Sequence, residues 1–243
     1  MIAFNFLKDK GHEIYESLNN ITLFTKMLMF QNIIMFILQL IFPYYSQISA
    51  LLLNSSNNTI GSLNIYRIFT GIFINTSIFN LIISLTAWVY DSIIKENTQG
   101  TIRFLINFIR INLLLQTIYT LLMFILSFYF TSFGNKPSCG LWLILIFEII
   151  SNAINFPDSD LILGNDYLKI NFKVYPILLV ISYMIVNFTL VPMELIIGIL
   201  MSVLYNYVLK DNIGDIYYIS DDFVQKCEDC CLFLPLKQFN GIE

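Results

Sequence analysis

Charge is what this sequence has least of. Only 12% of its 243 residues are Asp, Glu, Lys or Arg, against about 25% in a soluble domain. Hydrophobic residues make up 57% of the chain, and the mean hydropathy is +0.71. A soluble fold of this size cannot bury that much apolar side chain, so the chain reads as an integral membrane protein. The 13 Lys and Arg are scattered, with no basic patch, which excludes nucleic acid as a partner. Histidine is nearly absent: His12 stands alone. Of the 4 cysteines, Cys139 is isolated while Cys227, Cys230 and Cys231 cluster near the end. That spacing is no disulfide framework. The alternation of a membrane β-barrel is missing too. The apolar runs are long and continuous, so the expected fold is all-α. No metal site and no cofactor is expected.

What is there falls into three parts. Residues 1–26 form a polar lead that mixes Lys8, Asp9, Lys10, Glu13 and Glu16. It has no apolar core and cleavage site, so it does not read as a signal peptide. Residues 27–209 hold six apolar runs, at about 27–42, 72–90, 104–130, 140–156, 174–190 and 194–209. The expectation is a six-helix membrane domain. Residues 210–243 form an acidic, soluble tail. Six spans put both termini on one side. With a cytosolic N-terminus, 11 of the 13 Lys and Arg are cytosolic, all except Arg67 and Lys136, and this bias sets the orientation. Both termini are therefore expected in the cytosol. The sequons at Asn54 and Asn57 then fall in the first lumenal loop, where glycosylation is expected to be permitted.

The stretch from Tyr66 to Gly100 carries the most information. It opens on Tyr66-Arg67, continues through Asn75, Asn80 and Ser84 in an apolar setting, and closes on Glu96-x3-Gly100. This stretch resembles the rhomboid intramembrane serine proteases. That family has a Trp-Arg pair, then His-x4-His-x3-Asn entering the second span, then Glu-x3-Gly. Further on, Pro137-Ser138-Cys139-Gly140 stands where rhomboids carry Gly-x-Ser-Gly. Glu194-Leu195-x2-Gly198-x3-Ser202 stands where they carry Ala-His-x2-Gly-x3-Gly. The resemblance implies a rhomboid-like fold with Cys139 at the nucleophile position and Leu195 at the general-base position. The oxyanion positions hold Asn75, Asn80 and Ser84.

Chemistry argues against cleavage. A hydroxyl or thiol nucleophile needs a base within hydrogen-bond reach. Leucine cannot serve, and His12 precedes the first span. No enzyme activity is expected. The frame residues Tyr66, Arg67, Glu96, Gly100, Gly140, Gly198 and Ser202 keep a structural meaning. Gly198-x3-Ser202 is a small-x3-small pair that lets two helices approach, the expected neighbour being the fourth span, with Gly140 helping.

Among rhomboid pseudoproteases the chain is similar to the derlin group. The resemblance rests on Asn19-Asn20-Ile21-Thr22, on Asn155, Pro157 and Asp158 after the fourth span, on Tyr175-Pro176, and on Gly198-x3-Ser202-x2-Tyr205. It implies a protein of the endoplasmic reticulum membrane that binds misfolded membrane or lumenal clients for degradation. Membrane lipids, clients and a ubiquitin-ligase complex are the implied partners. The chain departs from the group in lacking an ATPase-recruiting terminal motif and a ubiquitin-associated domain. A second reading is a non-catalytic scaffold subunit of a larger membrane complex.

Polar residues inside the apolar runs form a separate candidate site. Glu148, Asn152 and Asn155 make one stripe in the fourth run. A charge at mid-membrane costs about 2.5–3.5 kcal/mol. Arg110 and Glu148 lie roughly 9 and 12 Å from the same side by helix rise, so two arrangements are expected equally: an Arg110–Glu148 ion pair, or Arg110 snorkelling to the interface with Glu148 neutral. In the tail, Cys227, Cys230 and Cys231 lie beside Leu232, Phe233 and Leu234 and are candidates for palmitoylation. With no histidine nearby they make a poor zinc site.

Overall fold

The computed structural model describes residues 21–41, 51–163, 168–189, 192–209 and 220–228. Helix α1, Leu23–Ile41, comes first. A two-residue strand β1, Asn54–Ser55, leads into the single-turn helices α2, Ser56–Thr59, and α3, Arg67–Thr70. The long helices α4, Ile78–Gln99, and α5, Thr101–Ser127, follow. A short helix α6, Thr131–Gly134, and strand β2, Pro137–Ser138, precede α7, Trp142–Asn155. A hairpin of β3, Asp160–Leu163, and β4, Leu168–Asn171, leads to α8, Tyr175–Asn187. Helix α9, Met193–Leu204, runs into a π-turn at Tyr205–Leu209. The last is α10, Asp221–Glu228.

Three helices, α1, α4 and α5, are long and apolar enough to cross a membrane. Three other apolar helices, α7, α8 and α9, are shorter. At 14 residues, α7 extends roughly 21 Å, less than the roughly 30 Å of a bilayer's hydrocarbon.

Polar side chains are frequent among the buried residues, and large apolar ones are exposed on the outside. Helix α1 buries Thr25, Asn32 and Gln39 and exposes Met27, Ile34, Leu40 and Ile41. Helix α5 buries Asn107, Asn112, Gln116 and Thr120 and exposes Ile109, Leu121 and Ile125. A water-soluble helix turns its apolar stripe inward. Apolar residues outside and paired polar groups inside are what a hydrocarbon solvent demands. Helix α7 sits at the centre: every residue from Trp142 to Ile149 is buried.

Three expectations need correction. Residues 91–103, which fall between two of the apolar runs and so read as a turn, are mostly helix, because Asp91–Gln99 holds neither Gly nor Pro. The break comes at Gly100, whose φ of +85° favours glycine. The polar stretch after α7 folds as the β3–β4 hairpin, with Asp160 paired to Asn171 and Leu163 to Leu168. With the β1–β2 pairing as well, the chain is mostly helical rather than all-α. In α10, Val224 packs on Ile102 and Ile106 of α5, and Asp221 pairs with Arg103. Finally, Gly140 does not serve the α7–α9 contact. A Cβ there would fall 2.6 Å from Asn75 Oδ1, so its bareness makes room for that amide. His12, Asn19, Asn20, Cys230 and Cys231 lie outside the described residues, and Cys227 is the seventh residue of α10.

Candidate functional site

Helix α4 carries a polar arrangement at each end, separated by roughly 24 Å from Asn80 to Glu96. The first is built around Glu96, which is 2% exposed. Its Oε1 accepts from the backbone N–H of Phe24 at 2.9 Å and from Thr101 Oγ1 at 2.8 Å. Its Oε2 accepts from the N–H and hydroxyl of Thr25, both at 2.9 Å. The first turn of α1 has no acidic residue of its own. Glu96 supplies the anion that a helix N-terminus favours. One carboxylate thus ties α1, α4 and α5 together. Gly100 allows it, because its turn brings Thr101 back onto Glu96.

Immediately before Glu96, Lys95 Nζ lies 2.7 Å from Asp91 Oδ2 and 2.8 Å from Glu148 Oε2. Asn152 Nδ2 donates to Asp91 Oδ1 at 3.0 Å. The ion pair of Glu148 is therefore with Lys95, not with Arg110. Axial depth alone suggested Arg110, but angular position decides. Asn107 and Ile111 face inward on α5, which turns Arg110 outward. Lys95 faces α7 because α4 continues helical past Tyr90. The expected stripe on α7 also divides. Asn152 goes to α4, while Asn155 Nδ2 donates to Ser151 O at 2.8 Å and Asn206 Oδ1 at 3.0 Å.

The other end is built from the first loop, the lead into α4, the Ser138–Leu141 turn and the start of α9. Tyr66 Oη donates to Leu51 O at 3.1 Å, Arg67 Nη1 to Leu53 O at 3.4 Å and Thr70 Oγ1 to Leu52 O at 2.9 Å. This holds the chain just before β1. Asn54 is then fully buried, its Nδ2 donating to Gln116 Oε1 at 2.8 Å and Thr120 Oγ1 at 2.9 Å. A buried, doubly donating amide leaves no room for a sugar, so Asn54 is not a glycan acceptor in the folded chain. Asn57 is exposed.

Asn75, also fully buried, donates to Asn32 Oδ1 at 3.2 Å and links α1 to the turn at Gly140. That glycine has φ +66°, and its N–H donates to Gly71 O at 3.0 Å. Asn80 Nδ2 donates to Thr76 Oγ1 at 3.1 Å, while its Oδ1 accepts from the Trp142 indole N–H and from Asn187 Nδ2 at 3.4 Å. Ser84 Oγ donates to Leu81 O at 3.2 Å within its own helix. None of the three amides and hydroxyls is aimed at Cys139 as a partner.

Cys139 is 4% exposed, and its backbone N–H donates to Glu194 Oε1 at 2.5 Å. Tyr183 Oη donates to Glu194 Oε2 at 2.6 Å. The Glu194 carboxylate thus occupies the backbone donor of the residue at the nucleophile position. Burial pushes the Cys139 thiol well above its ordinary pKa, and the neighbouring Glu194 carboxylate pushes it further. A thiol held protonated is a poor nucleophile. Leu195 is 1% exposed and belongs to the core. A cavity of about 200 Å³ lies here, lined by Tyr119, Lys136, Cys139, Tyr183, Asn187 and Glu194 among others.

Gly198 lies one turn further along α9 from Glu194. A Cβ on it would fall 2.3 Å from Ile146 Cγ2 and 3.1 Å from Leu143 O, so α9 lies directly on α7. Ser202, one turn on, is fully buried. Among the described residues no group of three His, Cys, Asp or Glu could hold a metal ion.

Sequence reasoning missed Glu194, Tyr183, Trp142 and Lys95. The signal for Glu194 was present: a carboxylate opening an otherwise apolar helix, immediately before Leu195. Compared with protein-family models, curated proteins and solved structures, the chain matches none of them.

Proposed function

We propose that this chain is a catalytically inactive, derlin-type member of the rhomboid superfamily. It is a six-span protein of the endoplasmic reticulum membrane with both termini in the cytosol. It binds misfolded membrane or lumenal clients and passes them toward degradation, in company with a ubiquitin-ligase complex.

The observation that carries the inactive reading is the Glu194–Cys139 contact. In acyl transfer the oxyanion needs free, preorganised donors. Here a carboxylate of the protein already accepts from the Cys139 N–H at 2.5 Å. An oxyanion would have to displace that carboxylate to reach the donor. The thiol is held protonated, and the base position is leucine. Each of the three requirements fails for its own physical reason.

Two features support the client-binding half. A polar cluster lies at the end of α7, where Ser151, Asn155 and Asn206 are joined across α7 and the π-turn. Helices α7, α8 and α9 are short, and short spans thin the bilayer around them. A thin, polar-lined bundle lowers the cost of bringing a client's polar groups into the membrane. Depletion of the protein should lengthen the half-life of a misfolded membrane client in a cycloheximide chase. Unchanged client turnover, together with co-purification in a fixed stoichiometric assembly, would replace this reading with the scaffold role.

A further inference from the structure

On the side of the bundle read as lumenal, the chain carries four Asn-x-Ser/Thr triplets, starting at Asn54, Asn57, Asn75 and Asn187. The fold treats their amides differently. A side-chain amide has two N–H donors, and an N-linked sugar replaces one of them. Asn54 spends both, on Gln116 Oε1 at 2.8 Å and Thr120 Oγ1 at 2.9 Å. Asn187 also spends both, on Asn80 Oδ1 at 3.4 Å and Tyr183 O at 3.1 Å. Asn75 is 0% exposed and lies against Gly140. Asn57 alone of the four is exposed. Its Nδ2 donates once among the described residues, to Asn135 Oδ1 at 2.9 Å, which leaves one hydrogen to be replaced.

We propose that Asn57 is an N-glycosylation site and that the folded protein carries no sugar at the other three triplets. The proposal rests on the reading of the first loop as lumenal and is independent of the client role. The donor is an oligosaccharide on a polyisoprenyl diphosphate, and the catalyst is a membrane oligosaccharyltransferase. Asn57 Nδ2 bonds to the anomeric carbon, the bond from that carbon to the diphosphate oxygen breaks, and polyisoprenyl diphosphate leaves. The nitrogen loses one proton and keeps one, which still reaches Asn135.

Position and timing both suit this chemistry. Asn57 lies across Gly134, where a Cβ would fall 2.4 Å from Asn57 Oδ1. Gly134 ends α6, which follows the end of α5, so the sugar projects from the rim of the bundle, as a bulky polar group must. The third residue of the triplet is Thr59. In the folded chain its hydroxyl donates to Asn54 Oδ1 at 2.8 Å and is buried, out of a transferase's reach. Transfer therefore precedes docking of the loop. The chain allows this order, because β1 pairs with β2 at Pro137 and Ser138, which are synthesised well after Asn57. A sugar placed on Asn54 in the same interval would bar that residue from its buried site, and the chain bearing it would not fold.

The test expresses the full chain in cultured cells that N-glycosylate and compares gel mobility before and after peptide-N-glycosidase digestion. The wild type should shift by one glycan. Asn57→Gln and Thr59→Val should lose the shift, and Thr59→Ser should keep it. Asn54→Gln, Asn75→Gln and Asn187→Gln should also keep it. The sugar is added during synthesis, so a variant that folds poorly still reports. The proposal is overturned by a shift that survives Asn57→Gln, or by a wild type that shows none. An epitope inserted after Gly61, probed with antibody on sealed microsomes, separates the two levels. Access without permeabilisation defeats the orientation reading and the site with it, whereas a protected epitope on an unglycosylated chain defeats the site alone.

Discussion

The two ends of α4 are made of the same kinds of parts and do opposite things. At one end the Glu96 carboxylate accepts four hydrogen bonds from α1 and α5 and holds three helices in register. At the other, the Glu194 carboxylate accepts from Cys139 and Tyr183 and, in the inactive reading proposed above, closes a place where a reaction could have occurred. The first saturates groups that would otherwise be orphaned at a helix start. The second consumes a donor that catalysis would need free. A buried carboxylate is thus a joint or a plug according to which donors it satisfies.

The comparison can be broken first at the joint. Glu96→Ala leaves two backbone N–H groups and two hydroxyls without their acceptor. A loss on the order of 4 kcal/mol is expected, read as a large fall in the unfolding midpoint in detergent. Lys95→Met leaves Asp91 and Glu148 facing each other without their cation and should cost about 3 kcal/mol. Gly198→Val drives a branched side chain into Ile146 and Leu143 and should cost about 2 kcal/mol.

The plug gives the smallest stability effect and the most specific chemical one. Glu194 raises the pKa of the Cys139 thiol, so removing its charge lowers that pKa. At a fixed pH below it, the thiolate fraction then rises. Glu194→Gln should therefore move the pH profile of Cys139 alkylation toward lower pH. An unchanged profile would mean that burial alone sets the thiol's reactivity.

Much of the helical plan was legible, for a physical reason. Each of the six apolar runs contains one helix, because a continuous apolar stretch in a lipid solvent has few other ways to satisfy its backbone. Boundaries were less legible. Nothing apolar marks Asp91–Gln99 as helix, yet it is the part of α4 that reaches Lys95 to α7 and Glu96 to α1. The β3–β4 hairpin was hidden by reading 157–173 as polar, although Leu161-Ile162-Leu163 and Ile170 are apolar. At the site, residue types and spacing identified the positions Asn75, Asn80, Ser84, Cys139 and Leu195. They did not reveal that Asn80 takes the Trp142 indole or that Asn75 needs Gly140 bare. They also offered Glu148 the wrong cation, because rise along a helix was weighed without rotation around it. Partners across a bundle depend on both.

The central claim is that the Cys139 site is closed to catalysis, and cleavage of a reporter transmembrane substrate tests it most directly. Purified protein in liposomes should yield no product. Cys139→Ala should be indistinguishable from wild type, and Glu194→Ala should remain inactive, since Leu195 still offers no base. A product that forms with the wild type and disappears in Cys139→Ala would contradict the account.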